Sequence, residues 1–272
     1  MANGAVLVIA HGSPEADWIA LVEAAVRQCG SELPIRVAYL GGAEGRSIPE
    51  EWRRLEMTGA EYIIVVPLFV TEGSSHVGEI RSILGLDPPL SSEYSPISVF
   101  SRPIWSPPLE DHPLVERIVE QRIRDLSQYP AGESLLLVGH GNAEPTGREK
   151  WERLLKRLAL RLQNRFHFAA AGYATLRPDT VREQACQLAE SGELLVVPLF
   201  VSQGYFTRVA IPQRLEGLAY RYEGRAYLPH PLIADWIGQS IRRAAAKQKY
   251  VQKGVCGEWQ SKDSGNGQMI HR

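Results

Sequence analysis

The stretch AVLVIAHGSPE, residues 5–15, returns in the second half of the chain as SLLLVGHGNAE, residues 134–144. A second stretch, VVPLFVTEG at residues 65–73, returns as VVPLFVSQG at residues 196–204. Internal repeats of this kind arise when two parts of a chain share one structural plan. The repetition therefore predicts two similar halves, and it directs attention to the positions at which the halves differ.

The main difference between the halves concerns a histidine. His76 lies three residues after the glycine of VVPLFVTEG, whereas Thr207 occupies the matching position in the second half. Both halves keep the histidine of the first repeat, which is His11 in one and His140 in the other. The first half therefore retains a pair of histidines, and we interpret the single His140 as a structural residue.

Short apolar runs alternate with longer amphipathic segments. Runs that are apolar on both faces are typical of strands inside a parallel sheet covered by helices. Strands are predicted at residues 5–10, 62–67, 134–138 and 194–198, with weaker candidates at 35–40, 97–100, 167–173 and 225–228. Helices are predicted at residues 14–29, 48–57, 75–84, 113–126, 146–163, 178–190, 207–217 and 231–247. The pattern predicts an α/β protein of two similar domains, each a four-stranded parallel sheet flanked by helices.

Helix starts and breaks divide the chain further. Ser13 before Pro14, and Thr146 with Glu149 three residues later, are N-terminal capping signals. Residues 129–132, Tyr-Pro-Ala-Gly, break the pattern between the halves. We therefore expect an N-terminal domain at 1–129, a C-terminal repeat at 130–247 and a disordered tail at 248–272.

Three further histidines have structural explanations and are not candidate site residues. His112 and His230 each precede a proline at a predicted helix start, where capping accounts for them. His167 lies between Phe166 and Phe168 in a predicted strand, and we interpret it as a packing residue.

Composition limits the class of protein. The chain has 272 residues, 44% of them hydrophobic, and its 30 basic residues are matched by 31 acidic ones, so it lacks the positive excess of a nucleic-acid-binding protein. The three cysteines are far apart and predict neither a disulfide framework nor a cysteine metal site. The N-terminus does not resemble a signal peptide, and apolar runs stay below the roughly 20 residues of a membrane span. We expect a cytoplasmic protein with no membrane or nucleic-acid partner.

The candidate site combines residues from two strand ends. In doubly wound sheets ligands bind at the carboxyl ends of the strands, where His11 follows one strand and His76 begins the helix after another. Neutral imidazole can ligate Fe, Co, Ni or Zn, and it can equally accept a proton near neutral pH. Glu79 shares a helix face with His76 and could orient its ring or take protons.

The motifs AHGS at residues 10–13, VVPLFVTEGSSHVGEI at 65–80 and DHPLV at 111–115 resemble the class II tetrapyrrole chelatases, the sirohydrochlorin cobaltochelatases and ferrochelatases. The resemblance extends to about residue 247. It implies a lyase that inserts Fe²⁺ or Co²⁺, as a substrate and with no permanent cofactor, into sirohydrochlorin or a related tetrapyrrole on the way to siroheme or cobalamin. It also implies that His11 and His76 bind the metal and assist removal of the pyrrole protons.

The carboxylates of such a macrocycle call for basic side chains and free N–H groups near the cleft. Ser13 and Arg208 are candidate substrate contacts or proton acceptors, together with Glu79. Further candidates for the basic contacts lie near predicted strand-end loops; these are Arg46, Arg81, Arg102, Arg148 and Arg177. For each of these arginines and for Arg208, we favour the interpretation as a solvated surface charge.

One departure from the family pattern leaves other functions open. Members of the family often carry a glutamate after the second strand, where this chain has Gly41, and Glu44 could substitute for it through a longer loop. Without a carboxylate the metal preference changes, and the protein could be a metal or tetrapyrrole carrier that binds without turnover. A histidine phosphatase is a third alternative, although Ala10 stands where that chemistry requires an arginine.

Overall fold

The computed structural model describes residues 3–13, 16–41, 43–88 and 96–252, and strands alternate with helices along them. The strands are β1 (Gly4–Ala10), β2 (Ile35–Tyr39), β3 (Tyr62–Pro67), β4 (Arg102–Trp105), β5 (Glu133–Gly141), β6 (Ala170–Arg177), β7 (Glu193–Pro198) and β8 (Tyr220–Arg221). The helices are α1 (Ala16–Gln28), α2 (Ile48–Glu56), α3 (Ser75–Ile83), α4 (Pro113–Leu126), α5 (Pro145–Phe166), α6 (Val181–Ala189), α7 (Ile211–Arg214) and α8 (Pro231–Gln252).

The strands form two four-stranded sheets, one from each half of the chain. Their orders are β2-β1-β3-β4 and β6-β5-β7-β8, and every strand pair is parallel. Along β1, Val6 and Val8 pack into one hydrophobic cluster while Leu7 and Ile9 pack into another, because helices cover both faces of the sheet. The predicted α/β fold with two four-stranded parallel sheets is confirmed.

The edge strand of the first sheet lies later than predicted. Residues 97–100 form no strand, and Phe100 is 92% exposed. The backbone N–H groups of Phe100 and Ser101 donate to the Glu56 carboxylate, at 2.7 and 3.0 Å. These donors are therefore occupied by a side chain, and the ladder with β3 begins only at Arg102.

The second sheet departs from prediction in a similar way. Residues 225–228 were expected to form its edge strand, which is instead the short β8 at Tyr220–Arg221. The N–H groups of Tyr227 and Leu228 donate to the carbonyls of Phe200 and Val201, beyond the end of β7. Because its partners lie past the sheet, the apolar segment is buried without joining the ladder.

Two further predictions concern α5 and are wrong. The helix begins at Pro145 with Glu144 as its N-cap, so the capping box expected at Thr146 is absent. Its C-cap is His167, which adopts a left-handed backbone with φ of 61° and has an exposed side chain. This residue ends a helix and does not pack in a strand, and β6 starts later, at Ala170.

Other boundaries also shift. The helix predicted at residues 207–217 is a π-helical turn, Phe206–Ala210, followed by the short α7. The last helix continues to Gln252, so residues 248–252 belong to α8 and not to a tail; the rest of the predicted tail, residues 253–272, lies outside the described residues. Pro14, the predicted first residue of α1, and residues 89–95 also lie outside them.

The last helix of each half packs against the other half. Helix α8 contacts α1 and β3 of the first half, and α4 contacts β7 of the second. Gly238 allows the close approach of α8 to the end of α1, since a Cβ there would lie 2.3 Å from the Cys29 carbonyl oxygen. One hydrophobic cluster accordingly contains Val6, Leu135 and Trp236 together, so the two sheets share a continuous core.

Two histidines lie at the N-termini of helices α4 and α8. His112 accepts a hydrogen bond from Leu114 N–H, and His230 accepts one from Leu232 N–H, each at 3.2 Å, which confirms both as helix caps. In the part of the chain that the structure describes, no helix has the length and apolar character that crossing a bilayer requires.

Candidate metal centre

A cavity of about 480 Å³ lies between the two halves. It is lined by the segments that follow the carboxyl ends of β1 and β3 in the first half, and of β5 and β7 in the second. Parallel sheets present their ligand sites at these ends. Both predicted histidines, His11 and His76, line it, and so does His140.

His11 is held by the backbone that follows β1. Its Nδ1 donates to the Gly12 carbonyl oxygen at 2.8 Å, and because a carbonyl can only accept, Nδ1 carries the proton. Gly12 has φ of +89°, and a Cβ at this position would lie 1.8 Å from the Gly41 carbonyl oxygen. Glycine is therefore required in this turn. Because the proton is on Nδ1, the neutral His11 ring has an available lone pair on Nε2.

His76 lies in the first turn of α3. Its Nδ1 is 3.1 Å from a carboxylate oxygen of Glu79, one helical turn later on the same face. The carboxylate fixes the Nδ1–H tautomer and orients the ring, an arrangement that recurs beside metal-ligating histidines. Nε2 of His76 is thus the nitrogen left for a ligand.

The two imidazoles are neighbours in space although 65 positions separate them in sequence. The ring centroids of His11 and His76 are 4.6 Å apart, with an interplanar angle of 73°. Two neutral imidazoles at this separation can share a borderline metal ion. Among the described residues, no group of three His, Cys, Asp or Glu side chains is placed to hold a metal. A metal held by this pair keeps open coordination positions, as transfer to another ligand requires.

His140 occupies the equivalent place in the second half. Its Nδ1 donates to the Gly141 carbonyl oxygen at 3.0 Å, and Gly141 has φ of +78° with space for no Cβ, since one would lie 2.1 Å from the Arg177 carbonyl oxygen. Burial lowers the pKa of His140; the bond to Gly141 opposes this, and Arg177, His76 and His11 add to it. The repeated His-Gly pair is the sequence signal for this geometry, and the structural role of His140 stays a prediction.

The side chain in contact with the His140 ring is Phe206, although Thr207 is the residue that matches His76 in the sequence repeat. The centroids of Phe206 and His140 are 5.0 Å apart at an interplanar angle of 82°, close to the arrangement of His76 with His11. Thr207 is buried and its hydroxyl is bonded within the turn to Gly204. Both Phe206 and Thr207 line the cavity, but on this π-helical turn it is Phe206 that contacts the His140 ring, so the sequence match of His76 with Thr207 does not extend to the ring contact.

The remaining wall is rich in aromatic side chains. Those that line the cavity are Trp18, Phe69, Trp151, Phe200, Tyr205 and Phe206. Tyr205 is 64% exposed at the rim. Aromatic faces provide large apolar contact area with preferred offset or edge geometries, which suits a flat ligand.

The predicted polar contacts are only partly present at this site. Ser13 lines the cavity, and Glu79 contacts it indirectly through His76. Arg208 is exposed on the π-helical turn and does not line the cavity. Arg46 pairs with Glu23, and no lysine or arginine is found among the described lining residues.

There is open space at Gly41, the position where the family resemblance leads us to expect a glutamate. The Gly41 N–H donates to the His11 carbonyl oxygen at 3.1 Å, so this backbone lies directly beside the first histidine. A Cβ on Gly41 would meet nothing within 4 Å. Glu44 is exposed and does not line the cavity, so it does not replace the absent carboxylate.

Contacts across the cavity hold its two walls together. The Asn142 side-chain amide donates to the Gly73 carbonyl oxygen at 2.8 Å, and Gly73 faces Gly147 so closely that a Cβ on Gly73 would lie 2.6 Å from the Gly147 carbonyl oxygen. On the other side the Trp18 indole N–H donates to the Ser202 hydroxyl. The spacing of the walls is therefore fixed by short contacts between the halves.

The sequence matches the CbiX family model twice, over residues 5–126 and 134–244. Two parallel sheets that enclose one cavity are the architecture of a class II chelatase. The chain belongs to the CbiX family of these chelatases.

Solved structures agree with the fold. The chain is similar to SirB from Bacillus subtilis with Fe³⁺ (19% identity, TM-score 0.70, 91% of this chain and 97% of that chain). It is also similar to CbiX, the terminal enzyme for biosynthesis of siroheme in denitrifying bacteria (21% identity, TM-score 0.60, 89% of this chain and 99% of that chain). DR2241 from Deinococcus radiodurans is a multi-domain protein with structural similarity to chelatases. It is matched over 55% of its length and 90% of this chain, with 21% identity and a TM-score of 0.59. No curated protein sequence matches the chain.

Proposed function

We propose that this protein inserts a divalent metal, Fe²⁺ or Co²⁺, into sirohydrochlorin or a closely related tetrapyrrole. The observation that carries the proposal is the pair of imidazoles 4.6 Å apart, in a cavity with aromatic walls. The family is one of chelatases, and the similar CbiX acts in the biosynthesis of siroheme. The product would accordingly be siroheme or a precursor of cobalamin.

His11 and His76 hold the incoming metal in this proposal. Each presents Nε2, because each Nδ1 is engaged, by the Gly12 carbonyl or by the Glu79 carboxylate. Two neutral nitrogen ligands bind a borderline metal while leaving most coordination positions to water. The pyrrole nitrogens can then replace the water ligands and finally the histidines, which a closed four-ligand cage would prevent.

The macrocycle enters flat between the aromatic walls. Phe69 contributes to the wall on the His76 side, at 6.0 Å between ring centroids, and the stacked Phe200 and Phe206 contribute on the other. Apolar walls bury the ring face, and the carboxylates at the ring periphery remain directed to solvent at the open side. The cavity volume of about 480 Å³ lies within the range of small-molecule sites.

An anaerobic absorbance assay with sirohydrochlorin and Fe²⁺, Co²⁺ or Ni²⁺ tests this function. We expect catalytic amounts of protein to accelerate insertion, and His11→Ala or His76→Ala to abolish it while the circular dichroism spectrum is unchanged. His112→Ala is the matched control, because this histidine caps α4 and does not line the cavity. Metal insertion at wild-type rate by His11→Ala and His76→Ala would refute the proposal.

A carrier is the second candidate, and the open space at Gly41 favours it, since the pair lacks a carboxylate that could add charge to the metal site. A carrier binds metal or tetrapyrrole stoichiometrically without accelerating insertion. The same assay separates the two functions, because acceleration at protein concentrations far below that of sirohydrochlorin requires turnover.

A further inference from the structure

A third imidazole lies on the wall opposite the histidine pair. His11 and His76 belong to the first half, whereas His140 belongs to β5 of the second half and lines the same cavity. Its ring contacts Phe206, and it is not in ring contact with either histidine of the pair. A flat ring between the walls therefore has the pair on one side and His140 on the other.

The hydrogen bond of His140 decides which nitrogen is available. Nδ1 donates to the Gly141 carbonyl, so the neutral ring has its lone pair on Nε2. Among the described residues, Nε2 of His140 has no hydrogen-bond partner. Burial, assisted by the charge of Arg177, lowers the pKa of His140, so at neutral pH the Nε2 lone pair is unprotonated.

Insertion of a divalent metal requires bases. Two pyrrole N–H bonds break, each nitrogen lone pair passes to the metal, and two protons leave the ring. The titratable groups among the described lining residues are the three imidazoles and the phenol of Tyr205 at the rim. While the metal occupies Nε2 of His11 and His76, His140 is the neutral base of the cavity.

We propose that His140 is a catalytic residue of metal insertion, whose Nε2 accepts a pyrrole proton on the ring face opposite the incoming metal. The inference rests on the proposed chelatase function. One proton passes to Nε2 of His140 and then to solvent through the open side of the cavity. The second passes to whichever of His11 and His76 the metal releases as it enters the ring.

The test compares His140→Asn with His230→Asn in the anaerobic sirohydrochlorin assay. Asparagine at position 140 can still donate to the Gly141 carbonyl but offers no comparable base. We expect kcat to fall about 100-fold, a typical contribution of one general base. The Co²⁺ dissociation constant, measured without tetrapyrrole, should stay unchanged, because His11 and His76 are intact. His230→Asn lies outside the cavity, keeps a capping side chain and should retain wild-type kcat.

A second variant separates loss of the base from loss of the fold. His140→Ala leaves space for free imidazole, which should restore much of the insertion rate if the missing group is a proton acceptor. Turnover of His140→Asn within about twofold of wild type would overturn the inference. Parallel loss of Co²⁺ affinity would also overturn it, because His140 would then be a metal ligand. Either result refutes only the role of His140, because the wild-type protein would still insert metal. The proposed function itself is refuted if the wild-type protein does not accelerate metal insertion.

Discussion

The Phe206 ring stands edge-on to His140 at 5.0 Å, as His76 stands edge-on to His11 at 4.6 Å. The two halves thus preserve one arrangement of rings but differ in its chemistry. The first half has two imidazole rings, and the second has one imidazole beside an apolar ring. The π-helical turn that presents Phe206 is stabilised by Tyr222, whose hydroxyl donates to the Thr207 carbonyl at 2.6 Å.

Phe206→His should create a second histidine pair. The new imidazole would lie beside His140 at the separation at which His76 lies beside His11, so a second Co²⁺ ion should bind per chain. Equilibrium dialysis and the visible spectrum of bound Co²⁺ measure this. Phe206→Leu is the control: it removes the ring and adds no nitrogen, and we expect it to add no metal site. Equal metal stoichiometry in the wild type and Phe206→His would show the prediction to be wrong.

Glu79→Ala should weaken metal binding without disturbing the fold. The carboxylate holds Nδ1 of His76 at 3.1 Å, and loss of such a partner typically costs about 10- to 100-fold in metal affinity. Isothermal titration with Co²⁺ gives the dissociation constant. Glu149→Ala, which removes an exposed partner of Arg153, should leave the affinity unchanged. An unchanged dissociation constant in Glu79→Ala would mean that the His76 ring does not depend on this carboxylate.

Gly41→Glu should tighten metal binding. The position adjoins His11 through a backbone hydrogen bond and has open space for a side chain. An added carboxylate brings negative charge to the histidine pair, and we expect Co²⁺ to bind about tenfold more tightly, which corresponds to about 1.4 kcal/mol. Gly41→Gln has the same length without the charge and should give a smaller gain. If both variants bind Co²⁺ as the wild type does, the side chain at position 41 does not reach the metal.

Gly73→Ala should destabilise the contact between the halves. Its Cβ would lie 2.6 Å from the Gly147 carbonyl oxygen, so backbone must move, at a cost of about 1–3 kcal/mol. Urea denaturation measures the change in the free energy of unfolding. Gly204 is the matching glycine of the second half, and Gly204→Ala meets nothing within 4 Å, so its free energy of unfolding should change little. Equal values for the two variants would exclude the Gly73–Gly147 contact as a fixed spacer.

The central strands were predictable because their signal is local. A run such as residues 62–67, apolar on both faces, forms β3 with the predicted bounds. The edge strands were not predictable in this way, since the position of β4 depends on which backbone donors Glu56 occupies and that of β8 on the path after β7. Both depend on contacts between residues far apart in the sequence.

The sequence by itself determined the repeated α/β plan, the two His-Gly turns and the presence of His76 in one half only, because burial periodicity and turn chemistry are written into neighbouring residues. The tertiary structure decided that His11 and His76 approach to 4.6 Å, that His140 shares their cavity and that Phe206 replaces Thr207 beside it. These outcomes depend on how the two sheets pack together through α4 and α8, each of which contacts the other half, and on the wider π-helical turn. No local pattern specifies either, since both are set by long-range packing.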